Sequence, residues 1–187
     1  MKIPEARVPI LIGQNGEIKK EIEKLTNTEL TINSKSGNVE IVQKIDFKDE
    51  NYNPLNIFLA EKIVNAIGRG FNPKKAFKLI EPDVNLDIIK LDELLGKSQK
   101  KLKRMKGRII GRNGEMRNKI ESFSGALMSV YGKTVSLIGA FEEIKIARKS
   151  ISMILSGAPL NVVLNFLEKK FRERKRNEFR KIFKPEF

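Results

Sequence analysis

The chain contains one short segment twice, and the two copies lie 98 residues apart. Each copy has an apolar pair, then Gly-x-x-Gly, then apolar residues at helical spacing; we call Gly13–Gly16 the first loop and Gly111–Gly114 the second loop. The same offset pairs further positions, namely Ile12 with Ile110, Ile18 with Met116, Ile22 with Ile120, Thr26 with Ser124, Leu30 with Met128 and Ile32 with Val130. Matched apolar positions at a fixed period indicate a repeated fold unit, so we predict two copies of one small domain.

The second loop has residues suited to holding a phosphate backbone. Glycine permits a sharp turn and lets a ligand approach the backbone without a Cβ in the way. A helix beginning at Gly114 would point free N–H groups and its positive dipole end into that turn. Arg112 lies between the glycines and Arg108 lies just before them, and both offer guanidinium donors. The second loop is therefore predicted to grip a nucleic-acid backbone.

The net charge of +14 is confined to the second copy. Residues 1–96 hold 14 Lys/Arg and 15 Asp/Glu, whereas residues 97–187 hold 23 and 8. One stretch has eight basic and no acidic residues: Lys97, Lys100, Lys101, Lys103, Arg104, Lys106, Arg108 and Arg112. Such clustering is typical of a polyanion-binding face, although a solvated, lysine-rich surface is the alternative explanation.

Composition argues against catalysis and against a membrane protein. Cysteine and histidine are both absent, which removes disulfides, thiolate metal sites, and the commonest general base and zinc ligand. A phosphate-binding Gly-x-x-x-x-Gly-Lys-Ser/Thr motif is also missing. No signal peptide or apolar run of about 18 residues is found. Four acids (Asp83, Asp87, Asp92 and Glu93) are better explained as scattered surface carboxylates than as metal ligands. We expect a cytoplasmic protein without cofactor, metal or enzymatic activity.

Hydrophobic periodicity and turn residues predict the secondary structure. The predicted strands lie within residues 3–10 and at 28–32, 39–42, 85–91, 126–130 and 135–138. The predicted helices lie at 17–25, from Pro54 to about residue 67, and at 73–80, 115–123, 141–155 and 161–183. A charged, irregular connection is expected at 46–53.

The order strand, short helix, Gly-x-x-Gly, helix, strand, loop, strand, helix resembles the eukaryotic-type KH domain, twice over, and Gly107–Gly114 is close to that family's signature. More narrowly, the layout resembles the two-KH-domain small-ribosomal-subunit assembly factors, the archaeal relatives of the partner-of-Nob or Dim-two proteins. The basic insert 97–106 and Leu155–Pro159 before a last helix carry this likeness. It implies an α+β fold of two tandem type I KH domains (1–81 and 82–187). Each would be a three-stranded antiparallel sheet packed against helices, and a basic C-terminal helix would follow.

The KH resemblance implies that the second loop clamps the backbone of about four single-stranded nucleotides. The candidate RNA-binding residues are Gly111, Arg112, Asn113, Gly114, Lys103, Lys106, Arg108, Ile110, Arg117 and Lys119. Lys106 and Arg108 would flank the phosphate path. Ile110, Met116 and Ile120 are each either core, which is favoured, or the floor of a base groove. Arg117 and Lys119 either reach phosphates or line an exposed helix face.

The first loop is a weaker candidate. Gly13 and Gly16 are retained, but Gln14 and Asn15 supply no cation. Four acids (Glu17, Glu21, Glu23 and Glu29) lie near it, and charge dominates affinity for nucleic acid. The first copy either binds RNA weakly or serves as a structural and protein-docking module, with the latter slightly favoured.

For function, the resemblance implies a non-catalytic, monomeric factor that binds the 3′ region of 16S ribosomal RNA during small-subunit assembly. The implied partners are that RNA, the endonuclease that trims it, and the small ribosomal subunit or translation factors. The alternatives are a KH-type translation or messenger-RNA regulator and an exosome-associated RNA-binding protein. Exosome KH subunits usually carry an additional barrel domain, for which this sequence has no segment.

Overall fold

The computed structural model describes residues 1–44, 53–96 and 98–183, with side chains described up to residue 180. The helices in these ranges are α1 (Val8–Ile12), α2 (Glu17–Thr26), α3 (Leu55–Gly68), α4 (Pro73–Ala76), α5 (Leu91–Leu95), α6 (Gln99–Ile110), α7 (Glu115–Ser124), α8 (Phe141–Leu155) and α9 (Leu160–Phe183). The strands are β1 (Thr28–Ile32), β2 (Val39–Gln43), β3 (Val84–Lys90), β4 (Leu127–Tyr131) and β5 (Thr134–Ala140).

In the first domain, the antiparallel pair β1–β2 packs against α2 and α3, and α1 packs on these two helices. The third strand position is held only by the start of the chain, where Lys2 bridges Asn38 and the Ile3 N–H donates to Gly37 O at 2.9 Å. The strand expected within residues 3–10 is not formed, because Glu5–Arg7 forms a 3₁₀ turn and α1 follows directly, so the described sheet of this domain has two strands. Pro9 lies in the first turn of α1, where its missing N–H costs no helical hydrogen bond.

The second domain contains a three-stranded antiparallel sheet in the order β3–β5–β4. Helices α6 to α9 cover one face of this sheet around a core that includes Leu137, Ile120, Ile151 and Leu167, each with 0% exposure. The central strand β5 is buried from Thr134 to Gly139, because apolar groups cover both of its faces.

The first domain covers the other face of this sheet. Ile138 of β5 is 1% exposed and belongs to the hydrophobic core of the first domain, against which Leu86 and Leu127 also pack. The Ser129 hydroxyl donates to Arg69 O at 3.0 Å. Gly70 has a φ of 98°, and a Cβ there would lie 2.7 Å from the Ser129 hydroxyl oxygen, so this contact requires glycine. The two domains therefore share one continuous apolar contact.

Most predicted elements are present, but the basic segment before the second loop differs. Residues 99–106 of the insert belong to α6, a helix of 12 residues where the KH resemblance implied only a short helix before the loop, and α5 is an additional helix that precedes the insert. Helix α6 begins after Ser98, whose hydroxyl caps the Lys101 N–H at 3.5 Å, and it buries Leu102, Met105 and Ile109. The irregular connection predicted at 46–53 lies almost entirely outside the described residues, as does Lys97. The boundary between residues 81 and 82 stays a prediction.

Candidate nucleic-acid interface

The two Gly-x-x-Gly loops have nearly the same backbone conformation. In the second loop, φ and ψ are 75° and 174° at Gly111, 52° and 25° at Asn113, and 78° and 8° at Gly114. In the first loop, Gly13 has 75° and 177°, and Asn15 has 52° and 25°. The sequence repeat is therefore a repeat of structure, down to the left-handed asparagine, a residue type that tolerates this conformation.

The first glycine of each loop is required by packing against the following helix. A Cβ at Gly111 would lie 2.7 Å from both the N and the Cβ atoms of Met116, and one at Gly13 would lie 2.5 Å from Ile18 Cγ1. Real Cβ atoms essentially never approach so closely. The loop therefore turns tightly onto the first turn of the next helix.

The second glycine faces open space. No described atom lies within 4 Å of a Cβ built on Gly114, although its φ of 78° still disfavours other residues. This open surface adjoins the start of α7, where backbone N–H groups and the helix dipole favour an anion. A phosphate can thus approach the backbone here without meeting a side chain.

Arg112 is the cation that the second loop leaves available. It is exposed, and no ion pair involves it in the part of the chain that the structure describes. Lys119 instead pairs with Glu115 at 2.7 Å, and Arg117 lies 3.5 Å from Glu121. The hydrogen bond and charge of Lys119, with a smaller contribution from Arg112, lower the pKa of Glu115. Arg117 and Lys119 are thus partly neutralised within α7.

Arg108 and Lys106 contact protein carbonyls. The Arg108 guanidinium donates to Ile154 O at 3.2 Å and to Ala158 O, and so satisfies carbonyls at the end of α8. The Lys106 ammonium donates to Gly132 O, in the β4–β5 turn, at 3.0 Å. These contacts assign both residues a positioning role for α6 and the second loop. Contact with a phosphate would require either side chain to share or exchange these hydrogen bonds.

The remaining candidates separate into core and surface. Met116 and Ile120 are buried, with 4% and 0% exposure, and belong to the core. Ile110 is half-buried beside the second loop, which leaves part of its side chain accessible as a groove floor. Lys103 is exposed on α6 and has no ion pair among the described residues.

A glutamate that was not among the predicted site residues links helix and strand in both copies. Glu121 accepts from the Met128 N–H at 2.8 Å, and Glu23 accepts from the Leu30 N–H at 2.8 Å. Glu23 therefore has a structural role and weighs less against RNA binding than a free surface acid. The repeat itself contained the signal, because both glutamates occupy the same position relative to their loops.

The acids considered as metal ligands do not come together. Asp87 pairs with Arg148 at 2.6 Å, Glu93 with Lys90 at 2.8 Å, and Asp92 lies 3.8 Å from Lys133. No cluster of three potential metal ligands occurs within residues 1–44, 53–96 and 98–183. None of the helices in these ranges is both long and apolar enough to span a membrane.

Comparison with known families agrees with this geometry. Residues 85–172 match the family described as eukaryotic type KH-domain (KH-domain type I), and residues 1–48 match the KH domain family. Fold and loops thus define a protein with two KH domains, a class of RNA-binding module.

Comparison with individual proteins identifies a smaller family among the proteins with two KH domains. A KH domain-containing protein of Methanocaldococcus jannaschii is 41% identical over 179 residues, which is 96% of this chain and 76% of that protein. The crystal structure of Dim2p from Pyrococcus horikoshii is 44% identical, with a TM-score of 0.81 over 90% of this chain and 96% of that one. The chain belongs to the family of archaeal Dim2-like proteins with two KH domains.

Two further structures have the same fold. One is a complex of a/eIF2alpha, Dim2p and rRNA from Pyrococcus horikoshii, where the match is 43% identical with a TM-score of 0.83 over 92% of this chain and 93% of that one. The other is a protein of unknown function from Aeropyrum pernix, 36% identical, with a TM-score of 0.88 over 98% and 95% of the two chains.

Proposed function

We propose that this protein is a non-catalytic RNA-binding factor that acts in small-ribosomal-subunit assembly by binding the 3′ region of 16S ribosomal RNA, mainly through its second KH domain. The observation that carries the proposal is the second loop. It combines an open backbone surface at Gly114, the start of α7, and an exposed Arg112 without an ion pair among the described residues.

The choice of RNA is supported by relatives. The Dim2p of Pyrococcus horikoshii has been crystallised with rRNA and a/eIF2alpha. We extend this to a translation-factor partner for the present chain. The family resemblance adds the endonuclease that trims the same RNA end, the small subunit itself, and a cytoplasmic monomer as the working form.

The first loop is proposed as a secondary, weaker RNA clamp. Its backbone matches the second loop, but Gln14 stands where the second loop has Arg112. The backbone N–H dipoles that attract a phosphate remain, but the guanidinium is absent. The first loop should therefore have the same shape as the second loop and a lower affinity for RNA. Docking of a protein partner through the first domain, which the sequence slightly favoured, is the alternative role; the matching loop backbone is the reason for placing the weak clamp before it.

The experiment is a titration with single-stranded RNA that ends in the 3′ sequence of the protein's own 16S RNA. A shuffled strand of equal length is the control, and the titration is repeated at several salt concentrations. We expect a clear preference for the true sequence. Equal affinity for both strands would refute the 16S assignment and favour a general RNA-binding regulator.

A matched pair of variants tests the division between the loops. The double substitution Arg112→Asp, Asn113→Asp should abolish most binding, whereas Gln14→Asp, Asn15→Asp should cost much less. Equal losses from the two variants would contradict the proposed division. All four positions are exposed, so both variants should retain the fold.

A further inference from the structure

Contacts on one side of α9 fix the rotation of this helix against the second domain. Val163 and Leu167 are fully buried. The Phe171 ring packs edge-to-face on Phe123 with 5.7 Å between the ring centroids. Arg174 donates to Ser124 O at the end of α7 and lies 3.4 Å from Glu143. Since these residues lie three or four positions apart, they define a single inward face.

The opposite face of α9 is basic and exposed. Lys169, Arg172, Arg176 and Arg180 are spaced by three or four residues, so they form one line along the helix. We call these four residues the basic stripe. Its outward direction follows from the inward face, because Lys169 is two residues, or about 200°, from the buried Leu167.

The basic stripe is poorly neutralised. Cations elsewhere on α9 have acidic partners, with Lys170 at 2.7 Å from Glu173 and Lys175 at 3.1 Å from Glu178. Lys169, Arg176 and Arg180 have no ion pair among the described residues. Arg172 is 3.7 Å from Glu168 in an exposed pair, which contributes little.

Two cations of the stripe contribute to the lowered pKa of a neighbouring acid. The pKa of Glu173 is lowered, mainly by its hydrogen bond with Lys170, and the charges of Lys169 and Arg176 add to the effect. Glu168 and Glu173 line the same depression as Lys169, Arg172 and Arg176, so the four cations of the stripe outnumber the two acids beside them.

The stripe leads away from the second loop. A depression of about 300 Å³ is lined by Gly111 and Arg112 on one side and by Leu160 and Leu164 of α9 on the other. From Leu164 to Arg180 the helix rises by about 24 Å. The second loop therefore adjoins the start of α9, and Arg172 follows about 12 Å further along the helix, roughly 80° around its axis from Leu164.

We propose that RNA held at the second loop continues along α9, with its phosphates in contact with the basic stripe. This inference rests on the proposed function and extends the binding site beyond the nucleotides that the loop can hold. The contacts involve the backbone only, so they add affinity and salt dependence without sequence preference. Arg176 and Arg180 lie beyond the KH-family match, which ends at residue 172.

The test compares RNA strands of two lengths. A strand of about five nucleotides occupies only the loop and its groove. Adding about eight nucleotides to either end lengthens the strand by roughly 27 Å if the bases stay stacked, enough to follow α9. Only one of the two extended strands should gain affinity, and it identifies the direction of the path.

The variant Lys169→Gln, Arg172→Gln, Arg176→Gln removes three charges from the stripe. For the favoured long strand we expect affinity to fall about tenfold at low salt and the salt slope to fall by about 2, since each single-strand phosphate contact contributes about 0.7. Affinity for the short strand should stay unchanged. The control variant Lys2→Gln, Lys35→Gln, Lys78→Gln removes three exposed charges from the first domain.

The outcomes separate the two proposals. Unchanged long-strand binding in the stripe variant would overturn the inference, as would equal losses in the control or on the short strand. Failure of the wild-type protein to bind either strand, or insensitivity of the short strand to Arg112→Asp, Asn113→Asp, would instead refute the proposed function. Circular dichroism of each variant checks that α9 remains folded.

Discussion

Replacing Gly107 by alanine should raise stability and weaken RNA binding. Gly107 lies inside α6, on its exposed face, one turn before the second loop, and no described atom lies within 4 Å of a Cβ built there. A glycine inside a helix costs about 0.5–1 kcal/mol relative to alanine. The fold gives no packing reason for this cost, so we infer that the bare backbone serves the approach of RNA.

We expect Gly107→Ala to raise the free energy of unfolding by about 0.5–1 kcal/mol. In a chain of this size each kcal/mol raises the midpoint temperature of unfolding by about 2–4 °C, and calorimetry can measure this shift. Affinity for single-stranded RNA should fall about tenfold, or ~1.4 kcal/mol, because the methyl group holds the ligand away from the helix.

Gly96 provides a matched control. A Cβ there also meets no described atom within 4 Å, but Gly96 has a φ of 75°. Since this φ is combined with a ψ of 179°, a conformation that essentially only glycine adopts, alanine here should destabilise the protein by about 1–3 kcal/mol and leave RNA binding unchanged. If Gly107→Ala left RNA affinity at the wild-type value, Gly107 would lie outside the interface. A loss of stability would contradict the reasoning about the open helix face.

Three further predictions concern single side chains. Arg108→Ala should lower the free energy of unfolding in urea by about 1–3 kcal/mol, because two carbonyls at the end of α8 lose their donor; weaker RNA binding at unchanged stability would instead make Arg108 a phosphate contact. Glu121→Ala should destabilise the fold by about 1–3 kcal/mol, because the Met128 N–H loses its acceptor. Glu121→Gln should retain most of the wild-type stability, because its amide oxygen can still accept; equal losses of stability in the two variants would contradict this role of Glu121. The pKa of Glu115, followed by NMR, should lie below 4.5, rise in Lys119→Gln, and rise when RNA phosphates bind beside it; because the folded-state pKa is lowered, the small associated stability is present at neutral pH and lost as pH falls below 4.5.

Local chemistry explains why both loops could be predicted from the sequence. The positive φ values at Gly111 and Gly114 need residues of that type, and the apolar spacing of α7 follows directly in the chain. The length of α6 was not predicted because lysines dominate its composition, although Leu102, Met105 and Ile109 already have helical spacing. The conformation of the loops and the apolar spacing of the helices depend on residues that are close together in the sequence.

Long-range contacts could not be predicted in this way. Arg108 finds its carbonyl partners 46 and 50 residues further along the chain, in a turn whose position depends on the packing of α8. The charge of Arg108 predicted contact with a phosphate. No local sequence pattern distinguishes an arginine that binds a phosphate from one that donates to protein carbonyls. The same holds for Lys106 and Gly132, 26 residues apart.

The strand β5, which contributes to both hydrophobic cores, has a consequence for how this family can change. Separating the domains would expose Leu86, Leu127 and Ile138 to water, at about 25 cal/mol for each Å² of apolar surface. Covering this apolar surface is a role of the first domain that does not depend on what its own loop binds. Substitutions confined to the exposed residues Gln14 and Asn15 leave that role intact, so the two loops can differ in ligand within one stable fold.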